Sequence, residues 1–173
     1  MSELYVNKIY SHTDANNKIE IPSGNTLYAP GHVIQVIQQH TTNVQETTNS
    51  TSFQNTSLAA TITPKSSSSK ILVSVSTQSY TSSGGDIGLY GLRRSISGGS
   101  AGDLGTGEIF QANQQGGGWQ PLVLQFLDSP STTIATTYTL RFKSYAGSNY
   151  VYHGWGSGTG GSSQTITLME IGA

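Results

Sequence analysis

Short segments in which apolar and polar residues alternate recur along most of this chain. The clearest is residues 137–143, Thr-Tyr-Thr-Leu-Arg-Phe-Lys, where every second side chain is apolar. Because successive side chains of a β-strand point to opposite faces, this spacing puts the apolar side chains on one face and the polar ones on the other. Such a strand has one buried face and one face in water. The segment therefore predicts a strand at the surface of a packed sheet.

Six further segments have a similar character, and each is bounded by Ser, Thr, Asn, Gly or Pro. β-Branched residues are frequent in them, which favours strands. No window combines the i, i+3, i+4, i+7 apolar spacing of an amphipathic helix with capping residues. A series of about eight short strands separated by turns predicts an all-β fold, a β-sandwich with a jelly roll as the favoured topology. The further segments are residues 33–37, 52–62, 70–75, 87–93, 122–127 and 164–171.

The first thirty residues have the pattern of a separate unit. Two alternating segments, residues 4–10 and 18–21, flank a turn, which is typical of a β-hairpin. Because an isolated hairpin is marginally stable in water, this one is expected to pack on a partner. Ala29-Pro30-Gly31 interrupts the strand pattern, so the sequence predicts a docking arm at residues 1–30 and a β-sandwich body at residues 31–173. The side chains expected to dock are Leu4, Tyr5, Val6, Ile9, Ile19, Ile21, Leu27 and Tyr28.

Charged residues make up only 10% of the chain, whereas about 25% is usual for a globular protein. Ser, Thr, Gln, Asn and Gly take their place, so the surface is predicted to be rich in hydroxyl and amide groups. The formal net charge is -1 and the eight basic residues are scattered, so no nucleic-acid partner is expected. A net charge near zero favours association between protein molecules. This composition is typical of a protein that works in an assembly.

Several classes of protein are excluded by what the sequence lacks. There is no cysteine, so neither disulfides nor a thiolate metal site are expected to hold the fold. The N-terminal residues lack the basic and apolar regions of a secretory signal, and no apolar run reaches about 18 residues, so no membrane insertion is expected. The four histidines do not fall at metal-ligand spacing, and the Gly-rich segments lack the Lys-Ser/Thr of a phosphate-binding loop. No metal and no cofactor are therefore predicted.

One short motif, Gly98-Gly99-Ser100-Ala101-Gly102, matches the G-x-S-x-G pattern around the nucleophile of some hydrolases, and Asp128 and His153 follow in the order those enzymes use. In such enzymes a helix follows the serine and holds it in a strained turn. Here Asp, Leu and Gly come next, with no helical pattern. The match is attributed to the Gly/Ser-rich composition, and the chain is predicted not to be an enzyme.

Gly/Ser-rich stretches lie beside the two tryptophans of the chain. Aromatic side chains flanked by Asn, Gln and Ser are suited to stack on sugar rings and to hydrogen-bond sugar hydroxyls. The simpler alternative is that these aromatics cover an end of the sandwich or fill a subunit interface, where Tyr and Trp are common. Both interpretations stay open on the sequence alone. The candidate glycan contacts are Trp119, Tyr150, Tyr152, His153 and Trp155.

Six segments of the body, taken in order, are similar to those of a known family. They are residues 31–38 (Gly-His-Val-Ile-Gln-Val-Ile-Gln), 57–64 (Ser-Leu-Ala-Ala-Thr-Ile-Thr-Pro), 69–75 (Ser-Lys-Ile-Leu-Val-Ser-Val), 127–130, 137–140 and 166–171. In front of them, residues 6–9 (Val-Asn-Lys-Ile) and 19–24 (Ile-Glu-Ile-Pro-Ser-Gly) resemble the leader that often precedes this domain. The chain thus resembles virion structural proteins of tailed phages, of tail-fibre, head-fibre and decoration type.

The resemblance implies a jelly roll that is usually trimeric and carries no catalytic motif. Since 173 residues hold only a leader and one globular head, a small accessory trimer is favoured over a long fibre. The leading hypothesis is a non-enzymatic homotrimer that decorates the capsid on the exterior of the phage particle. Its arm would dock on the major capsid protein or on another virion protein, for example by strand addition.

Two alternatives remain from the sequence. The first is the receptor-binding tip of a tail fibre, which contacts host surface glycans. The second is a stand-alone carbohydrate-binding or hydrolytic protein that works as a monomer. The sequence does not fix the oligomer, because dimers with twofold symmetry are the commonest assemblies of soluble proteins.

Overall fold

Eleven β-strands lie in the part of the protein that the computed structural model describes, which is residues 29–82, 87–105, 111–113, 118–147, 150–155 and 161–172. No α-helix occurs in these residues, so none of them forms a helix able to cross a membrane. The strands are β1 (Val33–Thr42), β2 (Glu46–Thr48), β3 (Gln54–Ile62), β4 (Lys70–Thr81), β5 (Gly88–Ile96), β6 (Ala101–Asp103), β7 (Gln111–Asn113), β8 (Gln120–Asp128), β9 (Thr136–Ser144), β10 (Val151–His153) and β11 (Ser163–Ile171).

The first sheet, sheet A, contains six strands that occupy four positions. On one edge of β4, β10 and β11 pair end to end, while β8 pairs along the other edge. In the same way β1 pairs with β11 and β2 pairs with β10. The strand order is therefore β1/β2, β10/β11, β4 and β8, with all pairs antiparallel.

The second sheet, sheet B, is also antiparallel and has the order β3, β9, β5 and then β6 and β7, which share one edge of β5. Sheet B therefore also has four strand positions, which makes eight in the two sheets. When these positions are numbered in chain order, sheet A has the order 1-8-3-6 and sheet B has the order 2-7-4-5. Successive positions alternate between the sheets except at the link from β5 to β6. This is the double-sheet topology of a jelly roll, so the predicted fold class is confirmed.

The core lies between the two sheets and is built by the alternation seen in the sequence. In β9, Tyr138, Leu140 and Phe142 are buried, whereas Thr139 and Arg141 are only partly buried. The burial pattern of β11 alternates in the same way. The core cluster comprises Leu58, Ala60, Ile62, Ile71, Val73, Val75, Tyr90, Leu92, Leu104, Leu122, Leu124, Tyr138, Leu140, Phe142, Val151, Ile166 and Leu168.

Both ends of the described chain lie at one end of the sandwich, named here the proximal end. The N–H of Gly31 donates to the carbonyl of Gly172 over 2.6 Å, and the N–H of Gly172 donates to the carbonyl of His32 over 2.9 Å. The connections β3–β4, β5–β6 and β8–β9 also lie there. At the opposite, distal end, β2, β4, β7 and β9 end and β3, β5, β8 and β10 begin. The described chain thus begins at the proximal end, and the eight docking residues of the predicted arm fall outside the described residues.

Candidate functional site

Four aromatic rings form one cluster at the distal end of sheet A, named here the aromatic patch. Tyr80 and Tyr152 are register partners on β4 and β10, and their ring centroids are 5.4 Å apart. Trp119 lies 5.3 Å from Tyr80 and 6.4 Å from Tyr152. Trp155 extends the cluster, 6.4 Å from Trp119 with an interplanar angle of 33°. The rings lie on the outer face of the sheet, because the alternate residues of β4 and β10 are the buried ones.

The position of Trp155 is fixed by its backbone. Its N–H donates to Ser162 Oγ over 2.9 Å, and the N–H of Ser162 donates back to the Trp155 carbonyl over 2.8 Å. Gly154, just before it, has φ +67° and lies against Gln164 and Val44, so closely that a methyl group on Gly154 would overlap both. The chain turns sharply here and leaves the Trp155 side chain 42% exposed. The patch therefore presents one exposed indole, carried by a backbone segment that two hydrogen bonds hold in place.

The described outward positions of β4 and β11 near the patch are uncharged. Gln78 occupies the same face of β4 as Tyr80, and its backbone carbonyl accepts a hydrogen bond from the N–H of Gly154. The side-chain Oε1 of Gln78 is buried and accepts no hydrogen bond from any described group. Towards the middle of the sheet, the outward positions carry hydroxyl groups, such as Ser76 and Thr165. The patch is thus apolar and aromatic, with amide and hydroxyl groups around it.

The predicted glycan contacts meet different outcomes. Trp119, Tyr152 and Trp155 come together in the patch. Tyr150 is 49% exposed and precedes β10, but it is not one of the four rings. His153 was wrongly placed at the surface, since it is 0% exposed. It points into the sandwich because it neighbours the outward Tyr152 on a strand whose side chains alternate.

His153 belongs to a buried polar network. Its Nδ1 lies 3.3 Å from Glu46 Oε2 and its Nε2 lies 3.2 Å from Thr77 Oγ1. Thr77 Oγ1 donates to Gln164 Oε1 over 3.4 Å, and Gln164 Nε2 donates to the Val44 carbonyl over 2.5 Å. A carboxylate, an imidazole and a hydroxyl linked in this order resemble the acid, base and nucleophile of a catalytic triad. Thr77, however, is 4% exposed and faces the core. The network ties the β1–β2 turn to β4 and β11.

The G-x-S-x-G motif is not assembled into a site with His153. Asp128 pairs with Ile71 and His153 pairs with Ser79, so the two lie eight residues apart along β4. At about 3.3 Å per residue this separation is about 26 Å. Ser100 lies in the β5–β6 connection at the proximal end, whereas His153 lies in the distal half. The three residues therefore do not form a catalytic triad in this fold.

Two carboxylates are held ionised by hydrogen bonds. Burial alone would raise the pKa of Glu46, but hydrogen bonds from His153 and the Ser57 N–H lower it below its usual value of 4.5. Burial likewise opposes ionisation of Glu170, whose pKa is nevertheless lowered by Gln35 Nε2 at 2.6 Å and the Lys65 N–H at 2.7 Å. Glu46 thus fixes β2 to β3, and Glu170 fixes the β3–β4 connection.

Stability is expected to fall in acid because of these two groups. Both folded-state pKa values lie below the unfolded ones, so the unfolded chain takes up protons first as the pH falls. Their stabilisation is fully present above about pH 4.5 and is lost as the pH drops through the folded pKa values. Thermal unfolding between about pH 6 and about pH 3 should show a falling midpoint. The double variant Glu46→Gln, Glu170→Gln should show a smaller fall, and an unchanged fall would contradict the assignment.

A second feature of the outer face of sheet A is an apolar line near its proximal end, named here the apolar row. Val36 pairs with Met169, Met169 pairs with Leu72, and Leu72 pairs with Leu127. The row crosses the sheet from the edge strand β1 to the edge strand β8. Its two end members, Val36 and Leu127, are 52% and 48% exposed. Such a contiguous exposed apolar surface marks an interaction site more often than an isolated exposed residue does.

Comparison with known proteins adds little to this picture. No protein-family model matches the chain, and no curated protein sequence matches it. Among solved structures, one match is "Structure of infectious bursal disease virus Gx strain", with a TM-score of 0.38 and 12% sequence identity over 80% of this chain. The match spans 31% of the other chain, less than a third of its length. A similarity this low does not establish a shared function.

Among the described residues, no group of three or more His, Asp or Glu is arranged to hold a metal ion.

Proposed function

We propose that this chain is a non-enzymatic structural protein of a tailed-phage virion, a homotrimer that decorates the exterior of the capsid. The sequence resemblance to phage virion proteins supports the class of protein. The jelly-roll topology supports it too, because viral capsid proteins are among the proteins that use this fold. The observation that carries the assembled form is the apolar row on sheet A.

The geometry of the row favours a ring of subunits. It runs from one edge of sheet A to the other, so each subunit offers two different ends, one at Val36 and one at Leu127. A contact between two different surfaces is heterologous, and heterologous contacts that close make rings such as trimers. Burying the half-exposed ends of the row removes apolar area from water, which drives association. Because the formal net charge is only -1, electrostatic repulsion between subunits is small.

The two ends of the sandwich suit two tasks. The body joins its arm at the proximal end, close to the apolar row, so attachment and assembly share that end. The arm of residues 1–30 is proposed to dock on the major capsid protein or another virion protein. The distal end, with the aromatic patch, then faces away from the particle.

A matched pair of variants tests the assembly. Native mass spectrometry of the purified wild-type chain should give three times the 18.3 kDa subunit mass. Leu127→Asp should give monomers at micromolar concentration, because a carboxylate would have to be buried without a partner. Val123→Asp is the control, since Val123 lies on the same face of β8, is 58% exposed and pairs with the polar Ser76 outside the row. Dissociation of both variants, or of neither, would contradict the assignment of the contact to the row.

The alternative function is the receptor-binding tip of a tail fibre. The aromatic patch is the observation that favours it, because aromatic rings suit glycan contact and the patch lies at the distal end, where a fibre tip would face the cell. In this alternative the same arm joins a fibre shaft. The two functions share the trimer and differ in the place of the protein on the particle.

A further inference from the structure

We infer that the aromatic patch, together with Gln78, is a binding site for a neutral saccharide. All five side chains belong to one subunit, so the site does not depend on how the protein attaches to the particle. If the protein is a fibre tip, this site identifies the class of receptor that the tip binds; that application of the inference rests on the proposed fibre-tip function.

The rings offer a surface of the right kind. Trp119 and Trp155 are tilted by only 33° with centroids 6.4 Å apart, so their indole faces point in similar directions. The apolar C–H face of a pyranose packs well on such a surface, and its hydroxyls remain free at the rim. Tyr80 and Tyr152 support the indoles from the strands below. Because the hydrogen bonds between Trp155 and Ser162 hold the Trp155 backbone in place, little backbone freedom is lost on binding.

Gln78 provides the polar contact. A buried acceptor without a donor is uncommon in native proteins and calls for a partner. Because Gln78 lies on the outer face of β4, two residues from Tyr80, its amide group is placed to hydrogen-bond a sugar hydroxyl at the edge of the patch. The backbone bond from Gly154 to the Gln78 carbonyl keeps this residue next to the segment that carries Trp155. Aromatic stacking and an amide acceptor are thus present together.

The charge of the neighbourhood selects the class of ligand. From Leu72 to Tyr80, every outward position of β4 is uncharged, and the same holds for β11 from Ser163 to Ile171. Nothing at these positions attracts a carboxylate or sulfate by charge. The ligand is therefore a neutral hexose or N-acetylhexosamine oligosaccharide and not an acidic one.

A sister subunit is the competing occupant of the patch. Leu72 in the apolar row and Tyr80 in the patch are eight residues apart on one strand, which is about 26 Å. Three outward positions with hydroxyl or amide side chains, Ser74, Ser76 and Gln78, separate them. A trimer contact centred on the row therefore leaves the patch open.

The intrinsic fluorescence of the protein reports on this site directly. The chain has two tryptophans, and both are in the patch. Titration of the full-length protein with neutral oligosaccharides, with sialylated ones as comparison, should change the tryptophan emission saturably for the neutral ligands only. Trp155→Ala and Gln78→Ala should each weaken binding at least tenfold, as measured by calorimetry. Tyr145→Ala is the control, because Tyr145 is 65% exposed at the same end but is not in the patch.

Three results would overturn the inference: no neutral oligosaccharide binds, acidic ones bind equally well, or Tyr145→Ala weakens binding as much as Trp155→Ala. Native mass spectrometry of Trp155→Ala separates this inference from the proposed assembly. An unchanged trimer with lost binding supports a glycan site. A lost trimer would show that the patch is a subunit contact, and it would overturn the inference without contradicting self-association.

Discussion

Replacing Gly154 with Ala is expected to lower the free energy of unfolding by about 3 kcal/mol or more, because two costs add. The first is the left-handed backbone at φ +67°, which an L side chain adopts only with strain. The second is overlap of the new methyl group with Gln164 Nε2 and the Val44 carbonyl, which are hydrogen-bonded to each other. Relief of the overlap would break that bond and move Trp155. Urea denaturation measures the loss.

Gly98→Ala separates the two costs. Gly98 has nearly the same backbone conformation, φ +68°, but no atom lies within 4 Å of the added methyl group. This variant should lose only about 1 kcal/mol, the cost of the backbone strain. If both variants lose the same amount, Gly154 matters only for its backbone conformation, and the packed turn that mounts Trp155 is not as described.

Asp128→Ala is expected to cost about 2–4 kcal/mol of unfolding free energy. The carboxylate is buried at the proximal end, where it accepts two hydrogen bonds from Arg94 NH1, at 2.9 and 3.0 Å, and one from the Tyr138 hydroxyl at 2.7 Å. Its loss leaves the hydroxyl of the buried Tyr138 without this acceptor. Arg94 is 29% exposed and regains some hydration, which limits the cost.

Asp103→Ala is the matched control for this ion pair. Asp103 bonds Arg93 and Arg141 on the outer face of sheet B, and its side chain is 32% exposed. The Arg93–Asp103 pair is about one-third exposed, and Arg141, although only 13% exposed, also donates to the Phe53 carbonyl, so we expect Asp103→Ala to cost about 1 kcal/mol. Equal losses for the two variants in urea denaturation would show that Asp128 does not act as a buried anchor.

The strands of this fold were predictable because they are long enough to show their period. All seven segments predicted in the body coincide with strands; β1 extends five residues beyond its prediction, to Thr42, and β4 extends six, to Thr81. The two segments predicted for the N-terminal hairpin lie outside the described residues. The four missed strands, β2, β6, β7 and β10, have three residues each, too few for an alternation to stand out. β2 and β10 lie in line with the longer strands β1 and β11, whereas β6 and β7 together occupy one position beside β5, and such interruptions depend on tertiary pairing.

The candidate site was predictable only in part. Trp119, Tyr152 and Trp155 stood out beside Gly-rich segments, whereas Tyr80 lies beyond the predicted strand of residues 70–75 and was not singled out. Its role depends on the register that places it opposite Tyr152. The apolar row has the same origin, since Val36, Met169, Leu72 and Leu127 come from four strands and meet only through pairing. Sequence periodicity gives the face of a side chain, but not its neighbours on adjacent strands.

Cryo-electron microscopy of purified particles of the proposed source phage, with icosahedral and unsymmetrised maps, tests the proposed capsid location. We expect jelly-roll density in groups of three on the capsid exterior, with the proximal end and its arm toward the shell and the aromatic patch outward. Trimers at the tail alone would support the fibre-tip function instead of decoration. Particles without this density would contradict a virion location. Subunits present singly with the proximal end outward would contradict both the trimer and its attachment by the arm.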